Sequence, residues 1–258
     1  MSLISFSIDS RVARIILQRP EKLNSFTRDM AFALQAVLDE CAADPAIRAV
    51  YLTGAGKGFS AGQDLAEVTD PEGPGMNIIL KEHYNPIVRR IRALPKPVIA
   101  AVNGVAAGAG ANIALCCDVT VAAASAAFVQ AFSRIGLIPD CGGTYFLPRL
   151  IGWQKASALM MLGDKIPAAE AERMGMIYQV FPDEVFAERS WQLALRLAEM
   201  PTRGLALTKE ALQQSFAQSL EKQLETEDIL QQQAAGTWDY KEGVQAFLDK
   251  RSPTFRGE

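Results

Sequence analysis

The chain has 258 residues, a formal charge of −3, 49 % hydrophobic and 21 % charged side chains, which is the composition of an ordinary globular chain with room for a sizeable core. It carries no basic block, which argues against nucleic acid as a partner, and no uncharged apolar run of about 18 residues, which argues against a membrane span. Cys41, Cys116, Cys117 and Cys141 have the spacing of neither a zinc site nor a disulfide framework, and the N-terminus lacks a secretory pattern, so the expectation is a cytoplasmic protein with reduced thiols and no metal.

Residues 3–7 and 12–17 alternate or run apolar around Asp9-Ser10, the pattern of a hairpin. Residues 19–25, RPEKLNS, read as a loop bearing Arg19 and Lys22. Residues 27–43 place Met30, Leu34, Val37, Leu38 and Cys41 at helical spacing behind a Thr27 cap. A short buried strand at 50–53 precedes a glycine-rich loop, GAGKGFSAGQD, at 54–64. Residues 67–76 are polar and rich in Pro and Gly, the composition of a mobile loop. Helical spacing returns over 78–93, then a buried strand at 98–102 and a second glycine- and alanine-rich turn at 103–110. A helix at 111–117, a strand at 119–123 and an extended piece at 128–132 follow. Helices are expected around 153–162 and 168–174, and a last strand at 177–180. From residue 183 the strand signals stop, and helical patterns cover 185–200, 202–216, 220–235 and 239–249. Strand–strand–helix units thus fill residues 1–182, and residues 183–258 are all-helical. The fold class is α/β. Parallel strands joined by helices collect ligands at one sheet edge.

Residues 135–144, IGLIPDCGGT, set one carboxylate, Asp140, between Pro139 and Gly142-Gly143, with Ile135, Leu137, Ile138 and Cys141 as apolar neighbours. Lost hydration would raise its pKa and bring a weak base toward neutral pH. An aspartate before glycines is also ordinary turn chemistry. The two glycine turns, at 59–64 and 104–110, each follow a buried strand and expose backbone N–H groups. Two such groups converging on a carbonyl would stabilise an enolate oxygen, and Asp140 is the candidate base to complete the site. Neither turn is a nucleotide loop. Residues 104–110 do not fit GxGxxG, and Lys57 is followed by Gly58 rather than Ser or Thr.

Four segments in order, RPEKLNSF at 19–26, LTGAGKGFSAGQDL at 52–65, LPKPVIAAVNGVAAGAGANIALCCD at 94–118 and IGLIPDCGGT at 135–144, resemble the crotonase family, the enoyl-CoA hydratase/isomerase superfamily. The resemblance covers nearly the whole chain. It implies a crotonase-like spiral of ββα units with a C-terminal helical oligomerisation region, assembled as trimers paired into a hexamer. It implies an acyl-CoA substrate, with no cofactor beyond the CoA moiety. It places an oxyanion hole at the backbone N–H groups of Gln63 and Ala109, adenine contacts at Ala61, Gly62, Asp64 and Leu65, and Lys22 near the phosphates. Lys250 and Arg251 would reach the CoA phosphate of a neighbouring subunit.

The two glutamates that family hydratases use fall where Asn112 and Phe132 stand. Asp140 matches instead the aspartate of some isomerases and of a dehalogenase branch. HYNPIVRR at 83–90, NGVAAGAGA at 103–111, FSRIGLIPDCGGT at 132–144 and EGVQAFLDKRSPTF at 242–255 resemble one branch of the family, and the resemblance implies conversion of a ring-1,2-epoxyphenylacetyl-CoA to an oxepin-CoA in phenylacetate catabolism. A general Δ3 to Δ2 enoyl-CoA isomerase, or a CoA-binding scaffold without activity, are the alternatives. In the substrate pocket, Phe132 is expected to fill an apolar wall and Cys141 to line it. Asn112 is open between substrate and its own helix backbone. His83, the single histidine, lies off the glycine turns and has no catalytic part.

Overall fold

The computed structural model describes residues 2–258. β1 (Ile4–Asp9) and β2 (Val12–Leu17) pair antiparallel, from Ile4 against Leu17 to Asp9 against Val12. Their turn residues Ser10 and Arg11 take φ of 50° and 66°, the handedness that a two-residue hairpin turn needs. In α1 (Arg28–Ala43) the Thr27 hydroxyl accepts from the Met30 N–H, and Met30, Leu34, Leu38 and Cys41 are buried.

The strands then come in pairs that change sheet. β3 (Ala49–Gly54), β5 (Val98–Val102) and β7 (Val119–Ala123) lie side by side in the larger sheet. Their successors β4 (Gly58–Ser60), β6 (Val105–Ala107) and β8 (Ala127–Val129) lie side by side in the smaller one. The larger sheet runs β1-β2-β3-β5-β7-β10, ending on β10 (Gln179–Phe181), and the smaller runs β4-β6-β8-β9, ending on β9 (Lys165–Pro167). A chain that steps one strand sideways per unit, in both sheets at once, winds as the expected spiral. Its corners are tight. A methyl group on Gly54 would meet the Phe59 carbonyl at 2.5 Å. The Asn103 side chain joins two corners, accepting from the Gly54 N–H at 3.1 Å and donating to the Gly56 carbonyl at 3.0 Å. β5 is buried along its whole length, as a parallel strand covered on both faces must be.

Between and after the strands stand α2 (Leu65–Thr69), α3 (Met76–Ile78), α4 (Asn85–Ala93), α5 (Ala109–Leu115), α6 (Gly143–Ile151), α7 (Trp153–Leu162) and α8 (Ala168–Arg173). The chain ends in α9 (Asp183–Glu199), α10 (Thr202–Ser215), α11 (Leu220–Ala235) and α12 (Trp238–Leu248).

Several elements differ from expectation. The loop over 54–64 contains β4, and the expected mobile stretch opens with α2, capped by Asp64. The helix over 78–93 begins with a π-helical turn, Ile79–Tyr84. The extended piece at 128–132 ends early: β8 stops at Val129, and Phe132 sits in a 3-10 turn, Ala131–Ile135. α6 was hidden by Gly143 at its start and Pro148 inside it. The last strand falls at 179–181 rather than 177–180. The division after residue 182 is one of composition, since α9 packs across β2, β3, β7 and β10 and Tyr51 and Ser190 share a hydrogen bond of 2.9 Å. The tail is also tied to this core. The Arg48 guanidinium donates to the carbonyls of Phe255 at 2.8 Å and Met200 at 2.6 Å. Among the described residues no helix is long and apolar enough to cross a membrane, and no group of three His, Cys, Asp or Glu side chains is placed to hold a metal ion.

Candidate active site

The two glycine turns meet. After β4, the Phe26 N–H donates to the Gly62 carbonyl at 2.7 Å and the Asp64 N–H to the Phe26 carbonyl at 2.9 Å. This isolated parallel bridge uses the groups on either side of Gln63, so the Gln63 N–H points away from Phe26. After β6, Gly108 takes φ 52° and ψ −125°, a turn that L side chains avoid. It leaves the Ala109 N–H at the start of α5, where no intrahelical acceptor exists. Gly62, at φ +87°, lies against this second turn: a methyl group on it would stand 3.2 Å from the Ala109 nitrogen and 2.8 Å from the Ala107 oxygen. Among the described residues nothing accepts from the Gln63 or Ala109 N–H. Two free donors in adjoining turns can serve one carbonyl oxygen.

Asp140 is buried by a route other than the expected one. Ile135, Leu137 and Ile138 face outward, Ile138 with 82 % of its surface exposed, and only Cys141 of the apolar neighbours turns inward. The carboxyl is nonetheless buried, with the Cys141 thiol beside it. Its Oδ1 is sealed from solvent without a hydrogen-bond partner, and this burial raises its pKa from the ordinary 3.8 to about 6. The backbone of the same residue is held firmly. The Asp140 carbonyl accepts from the Gly143 N–H at 2.8 Å and from Asn112 Nδ2 at 2.9 Å. Asn112 is fully buried, and its Oδ1 accepts from Gln130 Nε2 at 2.8 Å. Its amide therefore reaches neither its own helix backbone nor open space; it buttresses the Asp140 loop. The Phe132 ring lies over Gly108, 3.7 Å from where a methyl group there would stand. Cys141 is buried at φ 50°. Burial first, and the Asp140 charge next, push its thiol pKa up, so it lines the loop as a neutral group.

The other expected contacts divide. Lys22 and Leu65 are exposed, while Ala61, Gln63 and Asp64 are half-buried. The Asp64 carboxylate binds Arg19 Nη2 at 2.8 Å and the Ala66 N–H at 3.0 Å. Burial works to raise its pKa, but Arg19, the Ala66 N–H and Ser25 together hold it below the usual range. This carboxylate stitches the RPEKLNS loop to the turn after β4. Lys250 is exposed, and Arg251 is paired with Glu242 at 2.6 Å. His83 is buried, and its Nε2 faces Arg28 Nη1 at 3.2 Å. A guanidinium only donates, so this nitrogen accepts and the ring is neutral; burial lowers its pKa accordingly.

Two residues escaped the sequence reading. Tyr84 is fully buried, and its hydroxyl donates to Gln63 Oε1 at 2.8 Å. Glu67 accepts from Gln63 Nε2 at 2.9 Å and from the Arg28 N–H at 2.8 Å. In sequence, Tyr84 is one aromatic in a helical pattern and Glu67 one acid in a polar stretch; only the π turn and α2 bring them to Gln63.

The enoyl-CoA hydratase/isomerase family model matches residues 7–258. The chain is 49 % identical to the 1,2-epoxyphenylacetyl-CoA isomerase of Escherichia coli (strain K12), with 100 % of both chains covered. It is 44 % identical to a probable enoyl-CoA hydratase of Rhodobacter capsulatus, over 98 % of each. Among solved structures, a putative enoyl-CoA hydratase/isomerase from Mycobacterium abscessus superposes with a TM-score of 0.94 at 37 % identity, covering 99 % of this chain and 100 % of that one.

Proposed function

We infer, from the premise that the chain belongs to the enoyl-CoA hydratase/isomerase family, that it is an isomerase of CoA thioesters in which Asp140 moves the proton. The observation that carries this reading is one buried carboxyl, its pKa raised to about 6, on a loop held by Asn112 of α5, the helix whose first N–H, that of Ala109, has no partner, like that of Gln63 in the adjoining turn. The thioester oxygen is held by the N–H groups of Gln63 and Ala109. The Asp140 carboxylate takes a proton from the α carbon, and the charge runs onto that oxygen. The same carboxyl, now an acid, returns the proton to the γ carbon, so a 3-enoyl thioester becomes the conjugated 2-enoyl thioester. Nothing enters or leaves except the substrate and its isomer.

The kinship with the E. coli 1,2-epoxyphenylacetyl-CoA isomerase supports a ring-epoxide thioester as the substrate, opened to its seven-membered isomer. Enolisation beside the thioester serves both conversions, which supports 3-enoyl thioesters as a second substrate class. Several relatives are hydratases by name. Water addition needs an acid and a base in register, and here the matching positions hold Phe132 and an Asn112 whose amide is already engaged.

The CoA moiety would lie along Ala61–Leu65 with Lys22 free at the rim. The C-terminal helices leave Leu212, Leu220, Leu224, Phe247 and Leu248 more than half exposed, which supports a closed homo-oligomer, a hexamer of two trimers. The test of the function is turnover of 1,2-epoxyphenylacetyl-CoA against linear 3-enoyl-CoA thioesters. Failure with both would overturn the reading.

A further inference from the structure

The structure assigns Tyr84 and Glu67 as positioning residues that clamp the Gln63 side chain and thereby aim its backbone N–H at the substrate carbonyl. The Gln63 amide is held at both ends, Oε1 by the Tyr84 hydroxyl at 2.8 Å and Nε2 by Glu67 at 2.9 Å. The second bond settles which way the amide faces, because a carboxylate only accepts and must face the NH2 group. The Tyr84 hydroxyl then meets the carbonyl end as a donor.

Both clamps are anchored in rigid structure. The second Glu67 oxygen accepts from the Arg28 N–H, an unsatisfied donor of the first turn of α1. The Tyr84 ring is fully buried, edge-on to Phe26 with centroids 5.9 Å apart. Phe26 is the residue whose backbone bridges Gly62 and Asp64. The peptide of Gln63 is therefore fixed by its neighbours' backbone on one side and through its own side chain on the other. Tyr84 ends the π-helical turn Ile79–Tyr84. A π turn closes i→i+5 hydrogen bonds, is rare, and is frequently found at functional sites. Tyr84, the last residue of this turn, is the one that meets Gln63. Burial keeps this phenol un-ionised, and the nearby acids Asp140, Glu67 and Asp64 add to the effect, so it remains a donor at working pH.

A backbone donor does not need a particular side chain, which makes the clamp testable. The inference rests on Gln63 as an oxyanion donor, so two readouts are needed. The first is the thioester carbonyl stretch of bound, unreactive butyryl-CoA in isotope-edited infrared difference spectra. In the parent it should shift to lower frequency, and in Tyr84→Phe and Glu67→Ala the shift should shrink. The second is kcat on a linear 3-enoyl-CoA. Each variant should lose about tenfold in kcat with KM changed little, as for a buried hydrogen bond that serves the transition state. Gln63→Leu keeps the backbone N–H but removes the clamped amide. It should lose a similar factor, and adding Tyr84→Phe to it should cost nothing more. If Tyr84→Phe proves unstable, Gln63→Leu alone decides the matter, because it disturbs no buried ring: kcat and carbonyl shift equal to the parent would overturn the clamp. No carbonyl shift in the parent would overturn the oxyanion reading of Gln63 itself. A parent shift that Tyr84→Phe and Glu67→Ala leave intact, or losses that multiply in the double variant, would overturn the clamp alone.

Discussion

Asp140→Asn separates the catalytic from the structural worth of the buried carboxyl. The amide has the same shape, so the carbonyl bonds to Gly143 and Asn112 remain. Lost is the proton acceptor, and kcat on a 3-enoyl-CoA should fall by about 10²–10⁴. Stability should move the other way. The parent pKa rises from 3.8 to about 6, so the folded state holds its proton more tightly than the unfolded state. The contribution of Asp140 to parent stability is then greatest below pH 4, falls as pH rises toward 6, and is flat above. The gap corresponds to at most about 3 kcal/mol of ionisation cost, less whatever water reaching the other carboxylate oxygen returns. Above pH 6 the variant should therefore melt higher by about 2–10 °C, and the difference should close by pH 4. Scanning calorimetry at pH 4 and 8, with initial rates of conjugated thioester formation over the same range, reads both effects. Parent kcat/KM, which reports the free enzyme, should climb with a midpoint near pH 6, where the carboxylate forms. Activity of the variant within about threefold of the parent would refute the base, and a melting difference independent of pH would refute the burial argument.

Gly62→Ala puts a methyl group 2.8 Å from the Ala107 oxygen at φ +87°, so the two turns must part; kcat should fall at least about a hundredfold by misplacement of the donors, measured on purified variant with its melting curve. Asn112→Ala removes the bonds to the Asp140 carbonyl and to Gln130; a loss of about 1–3 kcal/mol in urea unfolding is expected, with kcat falling more than KM rises. Water addition to crotonyl-CoA should be negligible beside isomerisation, checked by loss of enoyl absorbance. Light scattering at micromolar concentration should give a hexameric mass, and a monomeric mass with full activity would show that the exposed leucines of α10 and α11 need no cover.

The readable part of the fold was the part set locally. The 3.6-residue spacing of Met30, Leu34, Leu38 and Cys41 marks α1, and all four are buried. The unbroken apolar run of β5 marks a strand covered on both faces. The glycine corners were legible too, because no other residue fits where Gly54 and Gly62 approach neighbouring backbone. What stayed hidden depends on distant partners. β9 has three residues and exists only by pairing with β8, and α6 runs through Pro148. At the site, Asp140 was visible as an acid in an apolar stretch, but three of the four neighbours that suggested its burial point to solvent. Of those four only Cys141 is buried with it, and the Asn112 that holds the loop lies 28 residues away. Asn112 shows the same limit, since its partners are 28 and 18 residues away.

The Asp140 loop also shows how a fold can fix the proposed base in place while leaving one of its carboxyl oxygens without a hydrogen bond. The carbonyl of this residue is bound twice, by Gly143 and Asn112, and the next residue is held at a positive φ. The side-chain oxygen Oδ1, one bond path away, is sealed with no partner. Had Asn112 donated to the carboxylate instead of the carbonyl, the anion would be stabilised and its pKa lowered. The base would then be ionised but weak. By giving its hydrogen bond to the backbone, Asn112 fixes the position of Asp140 without quenching it. That division of labour accounts for a neutral amide at a position where a second carboxylate would repel Asp140 and push its pKa higher still. It also means that Asn112→Asp should raise the midpoint of the pH–rate profile, whereas Asn112→Ala should mainly lower its plateau.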